Sequence, residues 1–256
     1  MPDSSKMIIV RPHSCHYCGN GYNALGHVTE YAYSKNWNIT EMTDDNANKG
    51  PILSALLGTD AQFYFGFGHG SETTYTGDSE QPIFQVGDDL SLLSGRDIYL
   101  LSCLTANLLG TAIVQAGAEH YAGYNISWTW EMQGTTDDDP YTDFYGKCYW
   151  ESANELWIAI CDGATFEQAL QRCIAKYNEW IEYWYQSEDP SAIEQIGWLL
   201  HDRDGLVMLT PANPNPPAPA LELDWHIIVP TVVVVGIALF ALLSKDKKKS
   251  SRHKKH

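Results

Sequence analysis

Ala61-Gln-Phe-Tyr-Phe-Gly-Phe-Gly-His69-Gly70 is an apolar, aromatic run that stops at one imidazole, and Arg96-Asp-Ile-Tyr-Leu-Leu-Ser-Cys103 is a second run that stops at one thiol. Continuous apolar stretches of this length, bounded by Gly and polar residues and separated by a connection, read as parallel strands covered on both faces. In an open parallel sheet, the crevice outside the carboxyl ends of the strands holds the reactive groups, which is where His69 and Cys103 would sit. A thiol and an imidazole converging there are the minimum equipment for nucleophilic attack on a carbonyl.

The surrounding chain extends this alternation. Met7 to Val10 is a short strand, followed by a Gly- and Asn-rich loop from Arg11 to Asn23. Helical spacing runs from Ala24 to Lys35, and Trp37 to Met42 alternates as a strand. Pro51 opens a short helix through Leu57. Ser71 to Gln81 reads as a polar loop. Beyond the nucleophile, Thr105 to Ala116 reads as a helix ended by Gly117, and His120 to Ile126 as a further strand. Strand–helix alternation of this kind predicts an α/β domain, a mostly parallel sheet with helices on both faces. From Pro140 to Tyr185 the pattern is helical and rich in aromatics. Tyr177, Trp180, Ile181 and Trp184 fall on one helical face, a stripe that reads as core packing.

The ordered pair of blocks, apolar run to His-Gly and then, about three dozen residues on, apolar run to Ser-Cys, resembles the caspase-hemoglobinase clan of cysteine peptidases. Cys103-Leu-Thr-Ala-Asn-Leu-Leu-Gly110 and Gln115-Ala-Gly-Ala-Glu-His-Tyr-Ala-Gly-Tyr124 are most similar to gingipain-like and CHAT-type domains. The likeness reaches, more faintly, through Gly163-Ala-Thr-Phe-Glu-Gln-Ala-Leu170 to Asp202-Arg-Asp-Gly-Leu-Val-Met-Leu209. It implies a caspase-like three-layer fold and a cysteine endopeptidase acting through a His69–Cys103 dyad and a thioester. It also implies an oxyanion hole built from the N–H groups of Gly70 and Cys103. A helix starting at Thr105 would favour the Cys103 thiolate through its N-terminal dipole. In this clan the primary substrate pocket is lined by the loop after the first strand and by residues following the strand after the nucleophile. Those places here hold Arg11 to Tyr22 and Trp128 to Asp139, with His13, Trp128 and Asp137 as candidate substrate-binding residues. Asp137-Asp-Asp is also the candidate partner for a basic P1 side chain, although an exposed acidic turn explains it better and the gingipain pattern's single pocket acid has no obvious counterpart.

Composition narrows the partners. The formal charge is −16, but Lys245 to His256 carry seven Lys or Arg against one Asp, so the first 244 residues carry −22. So acidic a body repels nucleic acid and anionic lipid, and the resemblance implies a peptide or protein substrate as the partner. Six cysteines are too few for a disulfide scaffold in a chain this long. His13-Ser-Cys15-His16-Tyr-Cys18 offers zinc ligand types, but no second knuckle follows at clear spacing, so a pocket-lining loop or a disulfide reads better and no metal or cofactor is assigned.

The domain organisation reads as a peptidase domain over residues 1–210, a proline-rich linker over 211–224, a transmembrane helix over 225–244 and a basic tail over 245–256. Ile227 to Leu243 is seventeen residues without a charge, about 26 Å as a helix, enough for a bilayer core. The basic tail should stay cytoplasmic, which puts the domain outside the cell; with no signal-peptide pattern at Met1 to Lys6, a tail-anchored domain in the cytosol is the alternative. Two functional alternatives accompany the peptidase: a caspase-like recognition module without activity, tethered to the membrane, and a thiol–disulfide protein using Cys15 and Cys18.

Overall fold

The computed structural model describes residues 3–15, 17–135 and 137–217. Its centre is a six-stranded sheet of β1 (Asp3–Arg11), β2 (Asn38–Thr43), β3 (Ala61–Phe67), β6 (Asp97–Leu101), β7 (His120–Tyr124) and β8 (Leu206–Leu209), in the order β2-β1-β3-β6-β7-β8. Every pairing is parallel except the last, in which β8 runs antiparallel to β7.

The alternation of side chains along these strands builds two cores. Met7, Ile9, Phe63, Phe65, Phe67, Tyr99 and Leu101 face one way and pack against α1 (Cys18–Ser34), α4 (Gly146–Cys161), α5 (Phe166–Tyr185) and α6 (Ala192–Gly205). Ile8, Val10, Tyr64, Ile98 and Leu100 face the other way and meet α2 (Lys49–Gly58) and α3 (Leu108–Gln115). The result is an α/β sandwich with helices on both faces, the arrangement that buries strands on both sides. Aromatic rings fill the first core: Phe65 stacks on Trp157 with centroids 5.2 Å apart and planes 11° from parallel. Tyr177 and Trp184 of the α5 stripe are fully buried there, and Trp180 and Ile181 lie at its margin.

Several elements depart from the sequence reading. α1 begins at Cys18, six residues before the expected start, across Gly19, Asn20 and Gly21. Gly21 is required where it stands, because a Cβ there would occupy the ring of Phe67 at the end of β3. The expected polar loop from Ser71 to Gln81 contains β4 (Thr74–Thr76), which pairs antiparallel with β5 (Pro82–Gln85). The helical region from Pro140 to Tyr185 is two helices, broken at Gly163, whose φ of +89° ends α4.

The start of the proline-rich segment folds back onto the body: the Thr111 hydroxyl donates to the Pro214 carbonyl at 2.8 Å, and the Asn125 amide to that of Pro217 at 3.2 Å. Among the described residues no helix is long and apolar enough to cross a membrane. The expected transmembrane helix over 225–244 and the basic tail lie outside the described residues.

Candidate active site at the carboxyl ends of β3 and β6

Phe67 of β3 pairs with Leu101 of β6 in parallel register. His69 and Cys103 therefore each lie two residues past a matched pair, on adjacent strands and at the same edge of the sheet. The loops that carry them touch. A Cβ on Gly70 would run into the Ser102 hydroxyl and lie 2.5 Å from the Cys103 carbonyl oxygen, so only glycine lets the two backbones approach this closely.

Each loop is held by its own bonds. The His69 carbonyl accepts from the Thr76 N–H at 3.0 Å, and Ser71 N–H donates to the Thr74 carbonyl at 2.9 Å. Those two bonds flank the Gly70–Tyr75 bridge, leaving the Gly70 N–H outside the ladder. On the other side, Leu104 takes a left-handed φ of 62° and donates its N–H to the Ile126 carbonyl at 2.9 Å. A non-glycine residue in that region is strained, and such strain concentrates at functional sites. Neither the Gly70 nor the Cys103 amide donates to a backbone acceptor among the described residues. Two neighbouring donors at this edge are what a developing oxyanion requires.

The imidazole of His69 is about two-fifths exposed, and its Nε2 lies 4.0 Å from a Glu80 carboxylate oxygen. The Cys103 thiol is half-buried and donates to the Trp128 carbonyl, with sulfur and oxygen 3.6 Å apart. Burial pushes this thiol above its ordinary value, nearby backbone N–H groups offset this in part, and the buried Asp202 raises it further. The dipole expected to lower it is misplaced. α3 starts at Leu108, not Thr105, because Leu104 to Asn107 form turns, and a helix dipole fades within about one turn. Cys103 thus favours the thiol form. The other free cysteines of the described chain are buried, with Cys148 and Cys161 pushed up to about 12 and Cys173 higher still.

Beside this edge is a cavity of about 360 Å³ lined by Tyr17, Asn20, Thr129, Trp130, Met132, Gly134 and Thr135. Its walls come from the two segments expected to form the pocket, but not from the residues singled out in them. His13 is exposed and packs on the Tyr22 ring, with centroids 4.8 Å apart. Trp128 is buried, its indole N–H donating to the Tyr177 hydroxyl at 3.2 Å, and it meets Cys103 through its carbonyl. Asp137 is exposed and offers its carbonyl to the Asn23 amide at 2.8 Å. Asp138 accepts from the Thr135 N–H at 2.6 Å, and Asp139 pairs with His27 at 2.8 Å and with the Tyr141 N–H. The Asp138 and Asp139 carboxylates therefore serve the loop and α1, and among the described residues the cavity lining carries no carboxylate.

A disulfide is among the forms expected of Cys15 and Cys18, whereas the approach of His69 to them and the burial of Asp202 carry no signal in local spacing. Cys15 and Cys18 are disulfide-bonded, and each places its sulfur within 4.8 Å of a His69 ring nitrogen. Asp202, at the end of α6, is fully buried; its Oδ1 accepts from the Thr129 N–H at 3.1 Å, its Oδ2 has no hydrogen-bond partner among the described residues, and burial holds its carboxyl well above the usual range.

The chain matches no protein-family model and no curated protein sequence. Solved structures similar to it include the complex of the pro- and mature domains of Porphyromonas gingivalis RgpB, at 11% identity and a TM-score of 0.47, covering 68% of this chain and 44% of that one. They also include a secreted C11 cysteine protease from Bacteroides thetaiotaomicron bound to an irreversible peptide inhibitor, at 12% identity and a TM-score of 0.44, covering 68% of this chain and 58% of that one. At these identities the likeness concerns the fold alone. The chain spans less than two thirds of the length of either.

Proposed function

We propose that this chain is a cysteine endopeptidase in which His69 and Cys103 form the dyad. The observation that carries the reading is the matched departure of the two residues from the paired ends of β3 and β6, with Gly70 lodged against the Cys103 carbonyl. In the proposed reaction His69 takes the proton of the Cys103 thiol as the sulfur attacks the scissile carbonyl carbon. The Gly70 and Cys103 N–H groups receive the oxyanion. Collapse breaks the C–N bond, the imidazolium gives its proton to the leaving amine, and a thioester remains. Water, deprotonated by His69, then releases the acid and restores the thiol.

The cavity beside the dyad is the proposed P1 pocket. Tyr17, Trp130 and Met132 line it with apolar surface and Asn20 adds a neutral polar group, so an uncharged P1 side chain fits it better than Arg or Lys, whose charge would be desolvated without a partner. Tethering to a membrane through residues 225–244 is part of the proposal and rests on the uncharged run from Ile227 to Leu243. Release of the full chain from vesicles by alkaline carbonate would count against it.

The test is reaction of the full chain with peptidyl acyloxymethyl ketones that vary at P1, read by mass spectrometry. Modification at Cys103, lost in Cys103→Ala and strongest for apolar P1, is the expected result. A second reading, a recognition module without activity, is favoured by the raised thiol and its bond to Trp128. Wild-type protein that stays unlabelled while folded would decide for it.

A further inference from the structure

We propose that Cys15, Cys18 and His69 form a redox-gated site for a thiophilic dication of the zinc class, and that metal bound there withdraws His69 from Cys103. One ligand atom from each of the three residues lies within 4.8 Å of the other two. A tetrahedral zinc ion, with Zn–S about 2.3 Å and Zn–N about 2.0 Å, sets neighbouring ligand atoms roughly 3.5 Å apart, a separation that side-chain rotation reaches from this arrangement. The Cys15–Cys18 segment is already turned as a chelate: the Cys18 N–H donates to the Cys15 carbonyl at 3.0 Å. Cys18 is also the first residue of the seventeen-residue helix α1, whose N-terminus favours a thiolate.

As a disulfide the pair offers no thiolate and binds no dication. An external dithiol or phosphine opens it. With a dithiol, two protons pass to the Cys15 and Cys18 sulfurs and the reductant closes to its own disulfide; with a phosphine, water supplies the two protons and its oxygen ends on phosphorus as the phosphine oxide. The dication then displaces those two protons and binds two thiolates and the neutral imidazole, leaving one position for water. His69 is then unable to act as a base, because the lone pair that would take the Cys103 proton is donated to the metal.

The two sulfurs and the ring come from chain positions more than fifty residues apart, Cys15 in the loop after β1 and His69 in the loop after β3. Those strands are neighbours in the sheet, so the fold itself brings the third ligand to the pair. Tyr17, between the two cysteines, lines the proposed P1 cavity, which ties the same loop to substrate binding.

Metal binding stands on its own geometry, whereas its inhibitory effect rests on the hydrolase reading, and the experiment separates the two. The full chain is reduced with a phosphine, desalted without oxygen and titrated with Co²⁺. One equivalent should give thiolate-to-cobalt charge transfer and tetrahedral d–d bands, zinc should abolish both, and the oxidised protein should give neither. In His69→Gln the cobalt spectrum should change and affinity should fall by at least on the order of 100-fold, the upper range for loss of a mere outer-shell partner. Cys15→Ser, at the half-buried cysteine, should remove one thiolate band while circular dichroism verifies folding. No tetrahedral spectrum from folded, reduced protein, or an unaltered spectrum in His69→Gln, overturns the site. Ketone labelling of Cys103 should fall when zinc is added to reduced protein and persist in oxidised protein; equal labelling with zinc bound overturns the gating. Protein that binds cobalt as described but never labels under any condition upholds the site and defeats the peptidase reading instead.

Discussion

Adding one methyl group at Gly70 tests the geometry of the proposed active site most directly. The new Cβ would overlap the Ser102 hydroxyl and lie 2.5 Å from the Cys103 carbonyl oxygen and 2.7 Å from the Thr105 methyl carbon. The hydroxyl and the methyl can shift by rotation, but the carbonyl belongs to the backbone turn fixed by the Leu104–Ile126 bond. The two loops must therefore separate. Overpacking of this kind costs about 1–3 kcal/mol, which in a domain of this size lowers Tm by roughly 2–12 °C. The catalytic cost should be larger than the stability cost suggests. Moving the Gly70 N–H by about 1 Å from the oxyanion forfeits most of one donor, about 10²–10³ in kcat. Gly70→Ala should thus remain folded at room temperature, bind substrate with little change in KM, and lose kcat. Ser102→Ala, which deletes a buried hydroxyl without a hydrogen-bond partner, should restore part of the stability and little of the activity, since the carbonyl contact remains. Thermal scans and initial rates on a peptide ester would report both. A Gly70→Ala enzyme with wild-type kcat would refute the assignment of this amide, and an unchanged Tm would refute the packing argument beneath it.

Other perturbations probe the rest of the site and the frame that carries it. Asp202→Asn should stabilise the protein increasingly as pH rises. A buried carboxyl held above its ordinary value loses stability as pH climbs from the unfolded value of 3.8 toward the folded one, so denaturation midpoints of wild type and variant that stay parallel from about pH 5 to pH 8 would contradict this. His120→Gln should show the opposite pattern at the far end of the sheet. Asp97, at 2.6 Å, and Glu167, at 3.0 Å, raise the His120 pKa above 6.5, so its contribution is full below that value and fades as pH passes the raised folded value. The variant should cost about 1 kcal/mol at low pH and little at high pH, as urea unfolding at both extremes would show. Trp130→Ala enlarges the cavity wall and should lower kcat/KM about tenfold or more for apolar P1 substrates, with a smaller effect on Arg or Lys substrates; an equal loss for both would place Trp130 outside the specificity pocket.

How much of this was readable beforehand follows from where each signal resides. β3 and β6 are buried on both faces, so their sequences are continuous apolar runs, and the residues terminating such runs, His69 and Cys103, stand out without any knowledge of contacts. Local propensity starts α1 too late, because Gly19, Asn20 and Gly21 favour a loop. What makes them helical is tertiary: the Phe67 ring fills the space above Gly21, and Asn20 donates its side-chain amide to the Thr135 and Asp138 carbonyls at 3.0 and 2.8 Å. The β4–β5 hairpin was invisible for a different reason, since strands of three and four residues are too short to display a period.

The cavity beside the proposed dyad illustrates the limit most sharply. It lies between the two segments expected to line a pocket, yet the acidic triplet is what a sequence displays, because carboxylates are conspicuous there and their hydrogen-bond partners are not. Asn20 and Asn23 bind the carbonyls of Thr135, Asp137 and Asp138, across separations of more than a hundred residues, and so fix how the loop presents itself to α1. With that orientation set, Asp138 and Asp139 turn to the loop's own amides and to His27, while Trp130 and Met132 face the cavity. Whether the pocket is charged or apolar is thus decided by two asparagines on a helix that local propensity does not announce. Asn20→Ala, by freeing two carbonyls at once, should loosen the discrimination between apolar and basic P1 residues without moving the Cys103 labelling site.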